Sequence, residues 1–301
     1  MDRFESMSVL LAVVEAGSFS GAGRRLRQPV PTVSRKVAEL EARLKARLLT
    51  RSTRRIALTE AGQSYVTACR RILEDVLEAE RAAAGEYRAP RGELVLTAPI
   101  VFGRLHVLPV LAAFLAAYPE VTVRMELADR PLDLIDEHLD LAVRIGEPPE
   151  RRLIAIPVGE VRSVVCGSPA HFAQHGVPAH PDELARHPCI AFAGLSGAHS
   201  WVFSVDGAAH PVRIHPRLIV NTAEAALDAA VAGVGLTRVL SYQAAEAVKA
   251  GGLRPVLQRF EPQPLPVSLL YRGAPPLALK LRAFLDFAAP RLRERLAADP
   301  P

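Results

Sequence analysis

Residues 18–44, SFSGAGRRLRQPVPTVSRKVAELEARL, constrain the fold more than any other stretch of this chain. Phe19, Ala22 and Leu26 recur at helical spacing, and after a break Val33, Val37, Leu40 and Leu44 trace one narrow apolar face. Pro31 suits the first turn of the second helix, where a missing N–H costs nothing. Two short helices joined by a tight turn predict a helix-turn-helix. At about 100° per residue, the side of the second helix away from its apolar stripe carries Arg35, Ala38 and Ala42, flanked by Thr32, Ser34 and Glu39. Small residues there allow close approach, and polar ones can reach base edges or phosphates in a major groove.

A plain helical hairpin with solvated charges would show no charge segregation. Here the first sixty residues hold twelve Lys and Arg against six acids, a balance of +6, while the whole chain is only +5. The rest of the chain is therefore slightly acidic, and the basicity sits where a nucleic-acid footprint requires it. Arg51-Ser52-Thr53-Arg54-Arg55 forms a basic turn before Ile56-Ala57-Leu58, suited to phosphate contacts or to an arginine in the minor groove.

From Thr59 to about Arg88 the pattern predicts one long helix, capped by Thr59 and ended by Pro90 and Gly92. Tyr65, Cys69, Ile72, Val76, Ala79 and Ala83 make a heptad seam, widened by Val66, Leu73 and Leu77, which predicts burial against a second copy of the helix. Packing within one chain is the simpler alternative.

Together these features resemble the LysR-type transcriptional regulators. The opening helix with Phe4, Met7, Leu11 and Val14 matches that family's N-terminal pattern in order and spacing. So do Glu15-Ala16-Gly17-Ser18-Phe19-Ser20, Val33-Ser34-Arg35, Leu40-Glu41, Arg47-Leu48-Leu49 and Leu58-Thr59-Glu60-Ala61-Gly62. The resemblance covers the whole chain. It implies an N-terminal all-α winged helix-turn-helix (1–58, with Arg51–Leu58 as the wing) and a dimerising linker helix (59–90). A C-terminal α/β effector domain (91–301) of two Rossmann-like, periplasmic-binding-protein-like lobes follows: lobe I 91–161 and 268–301, lobe II 162–267. Expected DNA contacts are Ser20, Pro31, Thr32, Ser34, Arg35, Lys36, Glu39, Arg51, Arg54 and Arg55. Expected partners are double-stranded DNA, further copies of the chain (a dimer, then a dimer of dimers) and RNA polymerase. Three positions depart from the family pattern: Gly23 stands for the usual alanine, and Arg27 and Lys45 stand where glycine commonly ends a helix in the left-handed conformation.

Beyond residue 90 the residues themselves alternate β-rich and helical runs, which means α/β. Strands are expected at 93–97, 121–127, 141–145, 153–158, 162–166, 189–192, 201–205, 218–220, 236–239 and 267–271, with a hairpin turn at Asp206-Gly207. Helices are expected at 106–118, 132–138, 222–232, 241–250 and 277–296. Open α/β sheets bind ligands beyond the carboxyl ends of their strands. Thr97-Ala98-Pro99 and Asn221-Thr222 occupy such places, although helix capping alone also explains them. Arg144, late in the apolar strand of Asp140–Gly146, must be paired or face a cleft. Phe102, Asp129, Gly146, Phe192, Trp201 and Thr237 are further lining candidates by position. Donors and a cation together predict a small-molecule co-inducer of anionic character, and no other cofactor.

Enzyme readings find no support: the nine histidines are scattered without metal-ligand spacing, and there is no GxSxG, P-loop or HExxH. An enzyme or a plain solute-binding module would need none of the first ninety residues. No apolar run reaches the eighteen or so residues needed to span a bilayer, and the charged N-terminus does not read as a secretory signal. Cys69, Cys166 and Cys189 are odd in number and widely spaced, as in a reducing compartment, so a cytoplasmic protein is expected.

Overall fold

The computed structural model describes residues 2–51, 56–83, 89–130, 133–134, 136–147, 153–193, 199–273 and 277–298. They fall into two compact units, Met1–Ala89 and Pro90–Pro301.

In the first unit, helix α1 (Arg3–Ala16) is capped by Asp2, whose carboxylate accepts the Phe4 amide at 3.0 Å. Ser18 caps α2 (Phe19–Leu26) in the same way through the Gly21 amide. Helix α3 (Val30–Leu44) opens after Pro29 with Pro31 in its first turn. Val9, Leu10, Val13, Ala22, Val33, Val37 and Leu40 close one apolar core, as the helical spacing demands. Strands β1 (Leu49–Arg51) and β2 (Ile56–Leu58) pair antiparallel, Leu49 opposite Leu58, and form the stem of the wing.

Helix α4 (Glu60–Ala83) begins at Thr59, whose hydroxyl accepts the Gly62 amide at 2.9 Å and donates to the Arg47 carbonyl at 2.6 Å. Glycine is required at 62, because a Cβ there would lie 2.0 Å from the Leu48 carbonyl oxygen. Along the expected seam, Tyr65 and Val66 pack into the unit's own core and Cys69 is buried, whereas Ile72, Leu73 and Val76 are only half-buried and Leu77 is exposed. The first turns of the seam are thus used within the chain. The side chains of Ala79 and Ala83, and residues 84–88 altogether, lie outside the described residues.

The second unit has two lobes. The first contains β3 (Gly92–Ala98) and α5 (Ile100–Phe102), which runs through a π-helical turn (Gly103–Val107) into α6 (Leu108–Ala117). Strands β4 (Val121–Leu127), β5 (Leu141–Ile145) and β6 (Leu153–Val161) follow. The second lobe contains β7 (Ser163–Gly167), α7 (Pro169–His175), β8 (Cys189–Phe192), β9 (Ser200–Val205) and β10 (Ala208–Arg213). It continues with β11 (Pro216–Val220), α8 (Ala223–Val231), β12 (Leu236–Leu240), α9 (Ser241–Lys249) and β13 (Arg254–Val256). The chain then returns to the first lobe as β14 (Leu265–Arg272) and α10 (Leu279–Ala298). Beside the two-stranded antiparallel β9-β10 hairpin, the two large sheets are five-stranded, in the orders β4-β3-β5-β14-β6 and β11-β8-β12-β7-β13. In each large sheet, three parallel strands are extended by two antiparallel steps.

Three expectations need correction. The segment expected as a helix at 132–138 is, in its described residues, a single turn: the Glu137 amide donates to the Asp133 carbonyl, the Asp133 carboxylate caps the Asp136 amide, and His138 closes at φ 54°. An aspartate cap satisfies the local backbone without a helix. Strand β14 starts at Leu265, so residues 265–267, expected in the second lobe, pair with β6 and β5 of the first. Pro266 masks this start in the sequence; its carbonyl accepts the Gly146 amide at 2.8 Å. Ile100–Ala117 does form an eighteen-residue helix long and apolar enough to cross a bilayer, but Phe102, Val107, Val110, Leu111 and Phe114 fill the first lobe's core.

Candidate nucleic-acid interface and ligand site

On α3 the stripe of Val33, Val37 and Leu40 is fully buried, and only Leu44 at its end reaches the surface. The opposite face presents Arg35, Ala38 and Ala42. The Arg35 side chain is 71% exposed and leans toward Glu39 at 3.7 Å. Pro31 is exposed, and Thr32 and Ser34 are half-buried on the flanks. Ser20 is exposed near the start of α2. Lys36 differs from expectation: its ammonium is paired with Glu5 of α1 and bonded to the Gln28 amide oxygen at 3.2 Å, leaving the side chain 14% exposed. It braces α3 against α1 instead of facing outward. Arg51 ends β1, while Arg54 and Arg55 lie outside the described residues.

In the second unit, alternation along β3 puts Thr97 on the face of Val95, and alternation along β5 puts Arg144 on the face of Ala142. Val95, Ala142 and Leu270 share one small apolar cluster, so Thr97 and Arg144 share a sheet face. Buried Ser268 on β14 stands directly opposite Arg144. Burial lowers the Arg144 pKa from its ordinary value. Gly146 follows at φ 99°, a backbone that favours glycine.

Asp129 caps the helix that begins at Ile100, accepting its amide at 3.1 Å with one carboxylate oxygen. The other oxygen is buried and has no hydrogen-bond partner among the described residues. Burial raises the Asp129 pKa, and the negative charge of Glu224, on α8 of the second lobe, raises it further. Tyr242 of α9 sits nearby; burial and then Asp129 push its phenol well above the usual range. The Phe102 ring meets Tyr242 edge-on at 5.4 Å.

Several expected lining residues serve the fold. Ala98, Phe102 and Phe192 are buried in the main core. Trp201 is 1% exposed within a second core that includes Phe172 and Phe203. Thr222 caps α8 through the Ala225 amide, and the buried Thr237 hydroxyl donates to the Ile190 carbonyl at 3.4 Å. Asn221 is exposed at the end of β11.

Residues 4–63 match the bacterial regulatory helix-turn-helix protein, lysR family, and residues 88–293 match the LysR substrate binding domain. The chain belongs to the LysR family. It is 38% identical over 288 residues to an HTH-type transcriptional regulator of Xanthomonas campestris pv. campestris, covering 94% of this chain and 84% of that protein. It is similar to CrgA, a LysR-type transcriptional regulator from Neisseria meningitidis, whose structure gives a TM-score of 0.61 at 29% identity over 96% of this chain and 98% of that one. The full-length structure of AphB, a virulence activator of Vibrio cholerae, gives 0.59 at 26% identity over 95% and 98%. As a LysR-type transcriptional regulator, the protein is not an enzyme; it couples a helix-turn-helix DNA-binding region to a substrate-binding domain for a small-molecule effector.

Several residues of this LysR-type chain lie beyond sequence reasoning. The Glu41 carboxylate accepts the Leu48 and Leu49 amides at 2.8 and 3.0 Å and ties the end of α3 to the wing. Its place in the Leu40-Glu41 motif is the available signal, but a motif match names no role. Ser268, Glu224, Tyr242 and Arg238 carry no local signature, and only the sheet register and the packing of the two lobes bring them forward.

Proposed function

We propose that the exposed face of α3, with Arg35 at its centre, reads an operator in the major groove while residues of the wing, Arg51, Arg54 and Arg55, hold phosphates. The observation that carries this reading is the division of α3 into a buried apolar stripe and an opposite face of Arg35 and two alanines. Pro31, Thr32, Ser34, Glu39 and Ser20 complete the surface, and Lys36 acts indirectly by fixing α3 on α1. Residues 1–58 form the DNA-binding domain, 59–90 the linker and 91–301 the effector domain. The half-buried stripe of Ile72, Leu73 and Val76, with exposed Leu77, supports pairing of α4 with a second copy, and two such dimers join into a tetramer. From the operator the regulator acts on RNA polymerase, in the bacterial cytoplasm. The effector, a small organic anion, binds between the lobes, with Thr97, Arg144, Gly146, Asn221 and Asp129 around it, and biases two arrangements of the domain by its differential affinity for them.

The test is binding to DNA upstream of the protein's own gene and its neighbour. Arg35→Ala should cost roughly 1–3 kcal/mol of specific affinity, whereas Arg54→Ala should weaken all DNA binding and flatten its salt dependence. Folded variants with unchanged affinity would remove the interface from α3. Thr97→Val should lose effector response by about 0.5–1.5 kcal/mol, and Ile72→Asp should yield monomers by light scattering.

A further inference from the structure

Arg238 lies on β12, two residues before its end, on the sheet face shared with Leu236, Val165 and Phe203. Its Nε donates to the Ser163 hydroxyl at 2.7 Å, and its guanidinium carbon sits 5.9 Å from the Phe203 ring centroid. Burial lowers its pKa to about 10, and no neighbouring carboxylate offsets that shift. Among the described residues, no acidic side chain is within ion-pairing distance, and the two terminal amino groups have no hydrogen-bond acceptor while remaining accessible. The contrast with Arg162 is direct, since that guanidinium is paired with Glu261 at 2.7 Å. A largely buried cation without a counter-charge is costly unless something external neutralises it. Arg238 is also near the carboxyl ends of the parallel strands β8 and β12, where α/β sheets receive ligands.

We infer that Arg238, oriented by Ser163, is the position in the second lobe that holds the carboxylate of a small organic acid. The planar fork, fixed at Nε, leaves its outer donors free to grip a planar anion in two parallel bonds. A single cation among Val165, Ala191 and Phe203 matches a monoanion with an apolar body. Inorganic phosphate, doubly charged and strongly hydrated, would be poorly served by one guanidinium and one hydroxyl. The inference rests on the effector reading above and names the end of the effector that the second lobe recognises.

The experiment uses the full chain, with thermal unfolding and calorimetry against acetate, butyrate, benzoate and succinate, the neutral amides butyramide and benzamide, inorganic phosphate, and a set of neutral and cationic metabolites. A carboxylate should raise the unfolding midpoint while its amide and phosphate do not. Arg238→Gln should weaken that binding about tenfold or more, and Ser163→Ala should weaken it less. The ligand-free Arg238→Gln protein should melt at or above the wild-type temperature, because an unpaired buried charge has been removed; a structural arginine would give the opposite. Equal binding of acid and amide, response to phosphate alone, unchanged affinity in Arg238→Gln, or a ligand-free variant that melts well below wild type or fails to fold would each overturn the assignment. A response only to neutral or cationic metabolites would overturn it too while leaving a small-molecule sensor standing, whereas a chain that answers to no small molecule would fail both.

Discussion

Arg162 and Glu261, ninety-nine residues apart, meet at 2.7 Å where the two crossovers between the lobes pass each other. Arg162 is the one residue between β6 and β7, and Glu261 lies between β13 and β14. The Arg162 amide and carbonyl also bond the Ser241 hydroxyl and amide, so the first crossover is fastened to the start of α9. A cavity of about 160 Å³ adjoins it, lined in part by Arg162, Ser241 and Tyr242. Burial raises the Glu261 pKa, and Arg162 pulls it back down.

Removing Arg162 should therefore destabilise the effector domain in a pH-dependent way. Arg162→Ala leaves the Glu261 carboxylate unpaired, at a cost of roughly 1–3 kcal/mol, because the arginine is partly exposed. The folded-state pKa of Glu261 then rises further above its unfolded value. Stability is retained in acid, where the group is protonated, and lost as pH rises through the folded pKa. Denaturant titrations of wild type and variant should diverge toward neutral pH and converge toward acid.

Gly62 and Thr59 should rank in a defined order. Gly62→Ala drives a methyl group into the Leu48 carbonyl and should cost about 3 kcal/mol or more, since backbone on both sides must move. Thr59→Ala removes one cap and should cost about 1–2 kcal/mol. Thermal unfolding of the N-terminal transition measures both, and near-equal effects would contradict the close packing of α4 on residue 48.

Arg27 and Lys45, both at φ 52°, close α2 and α3 in the left-handed conformation. Arg27→Gly and Lys45→Gly should each stabilise the first unit by about 0.5–1 kcal/mol, the relief of strain exceeding the added unfolded-chain entropy. Gly23, by contrast, belongs where it is: a Cβ would lie 2.9 Å from the Gln28 carbonyl oxygen, so Gly23→Ala should destabilise despite better helix propensity. Urea midpoints decide each sign.

His171 and His187 touch at 3.4 Å in the second lobe, 1% and 7% exposed, with His175 stacked on His171. Burial, reinforced by the neighbouring histidines, lowers both pKa values from 6.5. The neutral rings are favoured by folding, so their contribution is intact above pH 6.5 and is lost as pH falls through the lowered folded values. Stability should therefore drop between neutral and mildly acidic pH. Replacing both by Gln should flatten that part of the profile, and an unchanged slope would assign the acid sensitivity elsewhere.

The features legible in the residue order are the local ones. The cap at Thr59, the apolar stripe of α3 and the Asp206-Gly207 turn all depend on residues within a few positions of one another, and each forms where its spacing places it. Positive φ at Asp206 and Gly207 is the conformation a two-residue hairpin needs. Assembly of the elements decides the rest, because burial and ion pairing join residues that chain order keeps apart. Position on α3 marks Lys36 as a DNA contact, yet Glu5 of another helix captures it; position on β9 marks Trp201 as a cleft residue, yet a second core encloses it. The same holds for Arg144 and Ser268, brought face to face by antiparallel register, and for Arg238, whose lack of a counter-charge exists only once the sheets are assembled. Periodicity reports which face of an element is apolar; which charge that face leaves buried depends on the neighbour folded against it.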